Sequence, residues 1–280
     1  VALPRGERGR TNAGQWLDFA RFCSDSLIAF HRRQADIVKA NCPAHDIACN
    51  AVPRAGHLRL HTLSEHLTFA GRVNAPDRSD GFLASYGHAI VRSLKGRFWV
   101  MEQSCSAMQE RPGVVTESPD AAELRRWCWQ AVANGAQGVC FYPFRSALGG
   151  DDNVRAGVLE WDGAPRRRYK EILRTGEEFG KVGPELEGMA IEAKVALLRS
   201  FDARWSSEAQ PGLAGFHYDD HCFDLYRAVK RTGNACKMID PDSEIKKYAV
   251  ILAPCLSVVD DALVGRLEKY VKDGGTLILT

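Results

Sequence analysis

The chain has 280 residues, of which 45% are hydrophobic and 26% are charged, as in an ordinary globular protein. Its 37 lysines and arginines nearly balance its 35 aspartates and glutamates, which argues against nucleic acid as a partner. No apolar stretch approaches the ~18 residues that a membrane-spanning helix needs, so we predict no membrane partner. The chain begins at Val1 and ends at Thr280 inside an apolar, strand-like run, and we expect a fragment of a longer protein.

The nine cysteines are scattered and form neither a C-x-x-C pair nor a close cluster with histidine. This spacing argues against a zinc site, and scattered thiols indicate a reducing compartment. We therefore predict a cytoplasmic protein without a metal or a cofactor. His217 and His221 flank Asp219 and Asp220 at spacings that a metal site could use, but an acidic helix start explains them more simply.

The first half of the chain alternates predicted helices and strands. Apolar residues recur at helical steps between Trp16 and Val38, and a proline ends this helix near Asn41 to Pro43. The elements predicted after it are a helix over 81–94, a strand ending at Glu102, a helix starting at Ser118 and running to Asn134, and a strand over 138–142. Alternation of this kind indicates parallel α/β structure, whereas residues 51–81 show no clear pattern.

A domain boundary is predicted near Val182 to Gly188, where glycine and proline interrupt the pattern. The elements predicted beyond it are a strand over 193–198, a helix over 219–229, a strand over 249–253, a helix over 260–271 and a strand over 276–279. Ser257 and Asp260 flank the start of the last helix in a capping-box arrangement. These elements indicate a second, smaller α/β domain with an open sheet.

The run Phe98-Trp-Val-Met-Glu102-Gln103 is the most informative stretch. A short apolar run of this kind is typical of a buried strand, and a carboxylate at its carboxyl end occupies the position where α/β barrels keep catalytic groups. Glycosidic bonds are usually cleaved by two carboxyl groups, and Glu102 fits the nucleophile of a retaining enzyme. Gln103 could hydrogen-bond sugar hydroxyls, and Trp99 or Trp127 could provide an apolar face. The alternative for Glu102 is a satisfied ion pair at a domain rim.

Several blocks in order resemble the glycoside hydrolase family 42 β-galactosidases. They are Leu17 to Asp25, the segment HDIACN from His45 to Asn50, FWVMEQ with His88 and Arg92 before it, RRWCWQAVANGA from Arg125 to Ala136, and Phe141 to Arg145. The resemblance implies an incomplete (β/α)8 TIM barrel with about its last four strands in residues 1–183. It also implies that residues 190–280 form part of the flavodoxin-like, amidotransferase-like domain through which the family assembles homotrimers.

The resemblance also implies site residues. Glu102 corresponds to the nucleophile, Asp152 to a glutamate that contacts the sugar, and Arg155 to a position that is often histidine. Asn50 ends a strand that the family writes Thr-Asn, Arg145 follows an aromatic strand end, and Gln103 lies beside the nucleophile. We therefore predict Asn50, Gln103, Arg145, Asp152 and Arg155 as substrate-binding residues.

The sequence departs from the family pattern in several places. The family has Gln-Pro-Gly and then a tryptophan after its nucleophile, whereas no tryptophan lies between Gln103 and Glu110 here. The sixth-strand block is not recognisable between Ala51 and Asp80, and the family's acid/base glutamate would precede Val1. Glu65, Glu110 and Glu160 read as helix-surface or loop residues. Cys255 lacks the small neighbours of a nucleophile elbow.

The predicted function is a retaining glycosidase that hydrolyses terminal β-D-galactosides through a glycosyl-enzyme intermediate on Glu102, with this fragment inactive alone. The alternative is a non-catalytic or altered-specificity carbohydrate-binding homologue that keeps the fold. The departures at Asp152 and Arg155 leave room for that alternative, whereas an intact Glu102 favours the enzyme.

Overall fold

The computed structural model describes residues 4, 12–75, 80–107, 109–111, 114–115, 117–150, 155–210, 212 and 214–280. The helices are α1 (Ala13–Asn41), α2 (Leu60–Ser64), α3 (Gly81–Lys95), α4 (Ala121–Ala133), α5 (Arg167–Leu186), α6 (Phe201–Ala209), α7 (Tyr218–Arg231) and α8 (Asp261–Lys272). The strands are β1 (Asn50–Ala51), β2 (Ala70–Asn74), β3 (Phe98–Gln103), β4 (Gln109–Arg111), β5 (Val114–Val115), β6 (Ala136–Phe141), β7 (Val195–Leu198), β8 (Cys236–Ile239), β9 (Val250–Ala253) and β10 (Thr276–Leu279). None of these helices is long and apolar enough to cross a bilayer.

The chain divides into two compact units. The Glu102 unit comprises Cys49–Val52 and Phe69–Ile191, and the C-terminal unit comprises Val1–Ala48, Pro53–Thr68 and Glu192–Thr280. Helix α1 thus groups with the C-terminal residues rather than with Glu102. The domain ranges 1–183 and 190–280 stay a prediction.

The Glu102 unit is built on a four-stranded parallel sheet with the strand order β1-β2-β3-β6. Helix α3 connects β2 to β3, and α4 lies between β3 and β6 in the chain. A buried cluster of Cys105, Leu124, Trp127 and Val158 packs with Phe141 and Ile172. This arrangement confirms the predicted parallel α/β structure, and strand β2 fills the region 51–81 in which the sequence showed no pattern.

The predicted capping residues of two helices are wrong. Asp120, rather than Ser118, caps α4. Its side chain accepts from the Glu123 N–H at 2.8 Å, and the Glu123 carboxylate accepts from the Asp120 N–H. Asp260, rather than Ser257, caps α8 by accepting from the Leu263 N–H. Helix α5 continues through Pro184 to Leu186, because a proline near the end of a helix removes only one hydrogen bond there.

The C-terminal unit contains a second parallel sheet with the strand order β10-β9-β7-β8. Taken in chain order from β7, this is the 2-1-3-4 arrangement of a doubly wound open sheet. Its core joins residues of β7, β8, β9 and α8, among them Leu198, Ile239, Ile251, Leu263 and Tyr270. The predicted open-sheet α/β structure of this part is confirmed, and β8 and α6 add to the elements that the sequence predicted.

Candidate active site

Glu102 lies at the carboxyl end of β3, where a β-bulge changes the strand register. On β2, Arg72 pairs with Val100 and Val73 pairs with Glu102, so β3 has one more residue than its neighbour over this step. The register with β6 shifts over the same stretch, between Val100 and Gln103. Bulges next to active sites re-aim a side chain, and this one sets the direction of Glu102.

Asn50 is the residue that the structure joins to Glu102. Its Nδ2 donates to the Glu102 Oε1 at 2.7 Å, although the two residues belong to β1 and β3, which lie on either side of β2. Gly71 of β2 has no side chain, and a Cβ there would meet the Met101 Cγ at 2.7 Å. The fold thus brings two residues that the sequence named separately within hydrogen-bonding distance.

Gln103 is fully buried, with 0% of its surface exposed. Its Oε1 accepts from the Asn74 Nδ2 at 2.8 Å, and its Nε2 donates to the Ser104 backbone carbonyl at 2.9 Å. Because the amide is used inside the sheet, Gln103 does not face a substrate in this structure. It fixes the strand end immediately after Glu102 instead.

Arg72 of β2 donates to Asn74, the residue that is hydrogen-bonded to Gln103. Its guanidinium donates to the Asn74 Oδ1 at 3.0 Å, to the Ala84 carbonyl at 3.1 Å and to the Val73 carbonyl at 2.9 Å, and it lies 3.2 Å from the His88 Nδ1. Burial lowers the pKa of Arg72 to about 9. No carboxylate pairs with this cation among the residues that the structure describes, so neutral oxygens and the imidazole stabilise it.

His88 of α3 is completely buried beside this guanidinium. Burial lowers its pKa well below the usual 6.5, and the positive charges of Arg72 and then Arg92 lower it further. The imidazole is therefore neutral, which lets its Nδ1 accept from Arg72. The residues of the buried network, Arg72, Asn74 and His88, were not assigned a role from the sequence because β2 itself was not recognised.

The rim beyond β6 carries exposed aromatic rings. Tyr142 and Phe144 are 44% and 64% exposed, and the Arg155 guanidinium lies 5.9 Å from the centre of the Tyr142 ring. Arg145 is exposed and its Nη2 donates to the Trp161 carbonyl at 3.2 Å. The structure does not join Arg145 or Arg155 to Glu102 by any described contact, and Asp152 lies outside the described residues.

The two tryptophans proposed as an apolar face behave differently. Trp99 is 38% exposed and stacks at 5.7 Å from Phe69, over Gly138. Trp127 is buried in the cluster around Leu124, so the prediction that it could face a sugar is wrong. Its position on the inner side of the amphipathic helix α4 is the physical reason.

The structure places the three other glutamates and the cysteine that the sequence analysis considered. Glu160 accepts from the Arg168 Nη2 at 2.7 Å in a largely buried ion pair. Glu65 is exposed at the end of α2, and Glu110 lies in β4. Cys255 adopts a left-handed φ of 43°, but burial raises the pKa of its thiol, which opposes a reactive thiolate.

Asp219 and Asp220, the acidic pair near His217 and His221, form ion pairs with arginines. Asp219 accepts from the Arg199 Nη2 at 2.7 Å and from the Arg204 Nη1 at 2.8 Å, and Asp220 pairs with Arg54. In the described part of the chain no three His, Cys, Asp or Glu side chains are grouped closely enough to hold a metal ion. These carboxylates are therefore components of ion pairs in the C-terminal unit.

Two family models match the chain. The model described as β-galactosidase of glycoside hydrolase family 42 matches residues 1–182, and the model described as the β-galactosidase trimerisation domain matches residues 193–280. The chain is 28% identical over 290 residues to the β-galactosidase BgaA of Clostridium cellulovorans and 30% identical over 281 residues to the β-galactosidase Bga of Halorubrum lacusprofundi. It covers 43% and 39% of those proteins, which in turn match 100% and 94% of this chain.

Solved structures show the same similarity. The β-galactosidase from Halorubrum lacusprofundi matches 100% of this chain with a TM-score of 0.90 and 29% identity, and the chain covers 44% of that structure. A β-galactosidase from Bacillus circulans matches 98% of this chain with a TM-score of 0.91 and 26% identity, and 41% of it is covered. The chain thus has the α/β fold of these structures over about two fifths of their length.

Proposed function

Because this chain belongs to glycoside hydrolase family 42, we propose that it carries the nucleophile of a retaining β-galactosidase, and that the nucleophile is Glu102. The observation that carries the proposal is the hydrogen bond of 2.7 Å from Asn50 to the Glu102 Oε1 at a bulged strand end. A carboxylate held by one oxygen keeps its other oxygen for attack on the anomeric carbon. The named activity of its relatives supports terminal β-D-galactosides as substrates.

The proposed reaction has two displacements. Glu102 attacks the anomeric carbon while the glycosidic C–O bond breaks and an acid/base carboxyl group protonates the leaving oxygen. Water then attacks the same carbon, the acid/base group takes the water proton, and the bond to Glu102 breaks. The net result is hydrolysis with retention of configuration.

The second carboxyl group is not assigned within residues 1–280. Retaining enzymes hold their two carboxyl groups ~5–5.5 Å apart, and the chain spans only about two fifths of the length of its curated relatives. We propose that the acid/base carboxylate, together with the strands that close a (β/α)8 barrel, belongs to the part of those proteins that this chain does not span. The match of residues 193–280 to a trimerisation domain supports a homotrimer.

Within this proposal the buried residues position the nucleophile. Arg72 holds Asn74, Asn74 holds Gln103, and Gln103 is the residue that follows Glu102. We assign Gln103 to this positioning role rather than to sugar contact, because its amide is fully buried. Tyr142 and Phe144, which are exposed, and Arg155, which lies beside the Tyr142 ring, are our candidates for the sugar-facing rim.

The test is a Glu102→Gln substitution in the protein as its gene encodes it, with Glu65→Gln as a matched control on an exposed glutamate. We expect kcat for an aryl β-galactoside to fall by about 10⁴-fold or more in Glu102→Gln, because removal of a nucleophile removes the covalent route. The control should keep its rate. Mass spectrometry after reaction with a slow 2-deoxy-2-fluoro-galactoside should place the covalent adduct on the peptide that contains Glu102.

Undiminished turnover in Glu102→Gln, or an adduct on another peptide, would overturn the assignment. A wild-type protein that binds galactose but hydrolyses no aryl galactoside would instead support a non-catalytic carbohydrate-binding homologue. The adduct experiment separates these outcomes, since only an enzyme forms the adduct.

A further inference from the structure

The C-terminal unit contains a crevice at the carboxyl ends of β7, β8 and β9, which we name the strand-end crevice. It has a volume of about 510 Å³ and is lined by the segments that follow these three strands, 199–202, 240–242 and 258–260, and by residues of α1, α2 and α8. This volume lies within the ~300–1,000 Å³ range of small-molecule sites. All the residues that line it belong to the C-terminal unit, and Glu102 belongs to the other unit.

The topology of the sheet favours a ligand at this place. In chain order, β8 lies on one side of β7, and β9 and β10 lie on the other side, so the direction of winding reverses between β7 and β9. Open parallel sheets bind their ligands outside the carboxyl ends of the strands at such a reversal. The loops after β7 and β9 both line the crevice, as that rule requires.

The charges that line the crevice cancel. The cationic side chains are Arg21, Arg59, Arg199 and Arg266, and the anionic ones are Asp202, Asp240, Asp242 and Asp260. Burial lowers the pKa of His61, which also lines the crevice, so this side chain adds no charge at neutral pH. A surface of this kind offers many hydrogen-bond donors and acceptors without a net field, which suits a neutral ligand rather than an anion.

At each of the two helix starts at the crevice, one backbone N–H is already used by a side chain of the protein. The Ser200 Oγ accepts from the Ala203 N–H at the start of α6, and the Asp260 Oδ1 accepts from the Leu263 N–H at the start of α8. Helix N-termini bind phosphate when their N–H groups point at the ligand. These two caps leave fewer donors for an anion.

The walls of the crevice are held in place by their own ion pairs and hydrogen bonds. Asp202 accepts from the Arg21 Nη2 at 2.9 Å and from the Arg59 Nη2 at 2.6 Å. Arg266 donates to the backbone carbonyls of Pro241 and Ser243. Such a site needs little ordering of side chains when a ligand binds.

We propose that the strand-end crevice binds a neutral polyhydroxylated molecule of the monosaccharide class. Paired arginine and aspartate side chains can each satisfy a sugar hydroxyl as donor and acceptor, and Phe201 with Val259 provides apolar surface for the C–H face of a sugar ring. The proposal goes beyond the glycosidase reaction and does not depend on Glu102.

Hydrogen exchange read by mass spectrometry tests this site directly, with D-galactose as the probe and the protein as its gene encodes it. Galactose should slow exchange in peptides that cover residues 240–243 and 257–263, by about tenfold at a concentration ten times its Kd. Ala262→Trp places a large side chain on an exposed position that lines the crevice, and it should abolish this protection. Ala228→Trp is the matched control, on an exposed position of α7 that does not line the crevice, and it should keep the protection.

Each other outcome overturns the proposal. If galactose does not slow exchange in the wild-type protein, the crevice does not bind a monosaccharide. If inorganic phosphate slows exchange and galactose does not, the ligand is an anion rather than a neutral sugar. Equal loss of protection in Ala262→Trp and Ala228→Trp shows that the effect is not local. Peptides that contain Glu102 report on the active site in the same experiment, so failure of the crevice and failure of the glycosidase assignment remain distinguishable.

Discussion

His88 is a neutral imidazole at the centre of a buried cationic cluster. Arg72 on β2 and Arg92 on α3 face it with positive charge, and Phe98 on β3 covers it with a ring centre 5.5 Å away. Among the residues that the structure describes, none is hydrogen-bonded to its Nε2. A proton on this side chain would therefore be both desolvated and repelled.

The stability of the protein should depend on pH through this residue. Its pKa is 6.5 in the unfolded chain and well below that value in the folded one, so the unfolded state binds more protons below pH 6.5 and protonation favours unfolding. We expect His88 to lower the free energy of unfolding by about 1.4 kcal/mol per pH unit below 6.5, down to its folded pKa. Urea denaturation at pH 7, 6 and 5 measures this slope.

His88→Gln is the control for the pH dependence, because its amide oxygen can still accept from Arg72 but does not titrate. The difference in free energy of unfolding between the wild-type protein and the variant should fall as the pH is lowered from 6.5 to 5, because only the wild-type protein has an imidazole that takes up a proton on unfolding. Contributions of His31, His61 and the carboxyl groups are common to both proteins and cancel in the difference. Parallel stability curves for the two proteins would contradict a depressed pKa at His88.

At the level of single elements, Gly87 is the residue of α3 that lets Arg72 lie against the helix. A Cβ at Gly87 would meet the Arg72 guanidinium, with its Cζ at 2.8 Å. The guanidinium cannot easily move away, since it is buried and donates to three carbonyl or amide oxygens. The close approach of a strand side chain to a helix backbone thus requires glycine here.

Gly87→Ala should therefore destabilise the protein, although alanine is the better helix former. We expect a net loss of about 1 kcal/mol, because overpacking a filled site costs ~1–3 kcal/mol and this cost exceeds the ~1 kcal/mol gained from helix propensity. Gly176→Ala in α5 is the control, since nothing lies within 4 Å of a Cβ there, and it should stabilise by about 0.5–1 kcal/mol. The midpoints of urea denaturation of the two variants should move in opposite directions, and a shift in the same direction would refute the packing argument.

Elements with a strong periodic pattern could be predicted from the sequence. Helix α1 and strand β10 agree with their predicted bounds to within a few residues, because each has a clear apolar pattern and a residue that ends it. Strand β2 could not be predicted, since Gly71 and Arg72 interrupt a run of only five residues. Arg72 can lie in a buried strand only because its guanidinium is hydrogen-bonded to a carbonyl group and to His88 of α3. These tertiary contacts cannot be seen in a single sequence.

The candidate site was predictable to a similar degree. Glu102 stands out because a carboxylate directly follows an apolar run. The burial of Gln103 could not be predicted, since the β-bulge before it decides which side chain turns into the sheet, and a bulge has no clear signal in a single sequence. The pairing of Asn50 with Glu102 joins residues 52 positions apart, which spacing alone does not reveal.

At the level of the whole molecule, both units expose large apolar side chains. In the Glu102 unit Val52, Trp99, Phe144 and Leu148 are exposed, and in the C-terminal unit Phe22, Leu27, Phe30 and Ile37 of α1 are exposed. Exposed apolar surface of this extent usually marks an interaction site. The chain matches relatives over about two fifths of their length. We expect residues that correspond to the rest of those proteins to cover these apolar side chains.

The 280-residue chain expressed alone should therefore hydrolyse no aryl β-galactoside above the uncatalysed rate. Glu102 is present, but general acid catalysis contributes ~10²–10⁴-fold in such reactions, and the chain offers no carboxylate within the described residues that we can assign to this role. Expression of the protein as its whole gene encodes it should restore hydrolysis and lower the binding of a dye that reports exposed apolar surface. Glu102→Gln in the restored protein is the control, since it should cover the same surface without activity. Hydrolysis by the isolated chain would refute the inference that the rest of the protein is needed for catalysis.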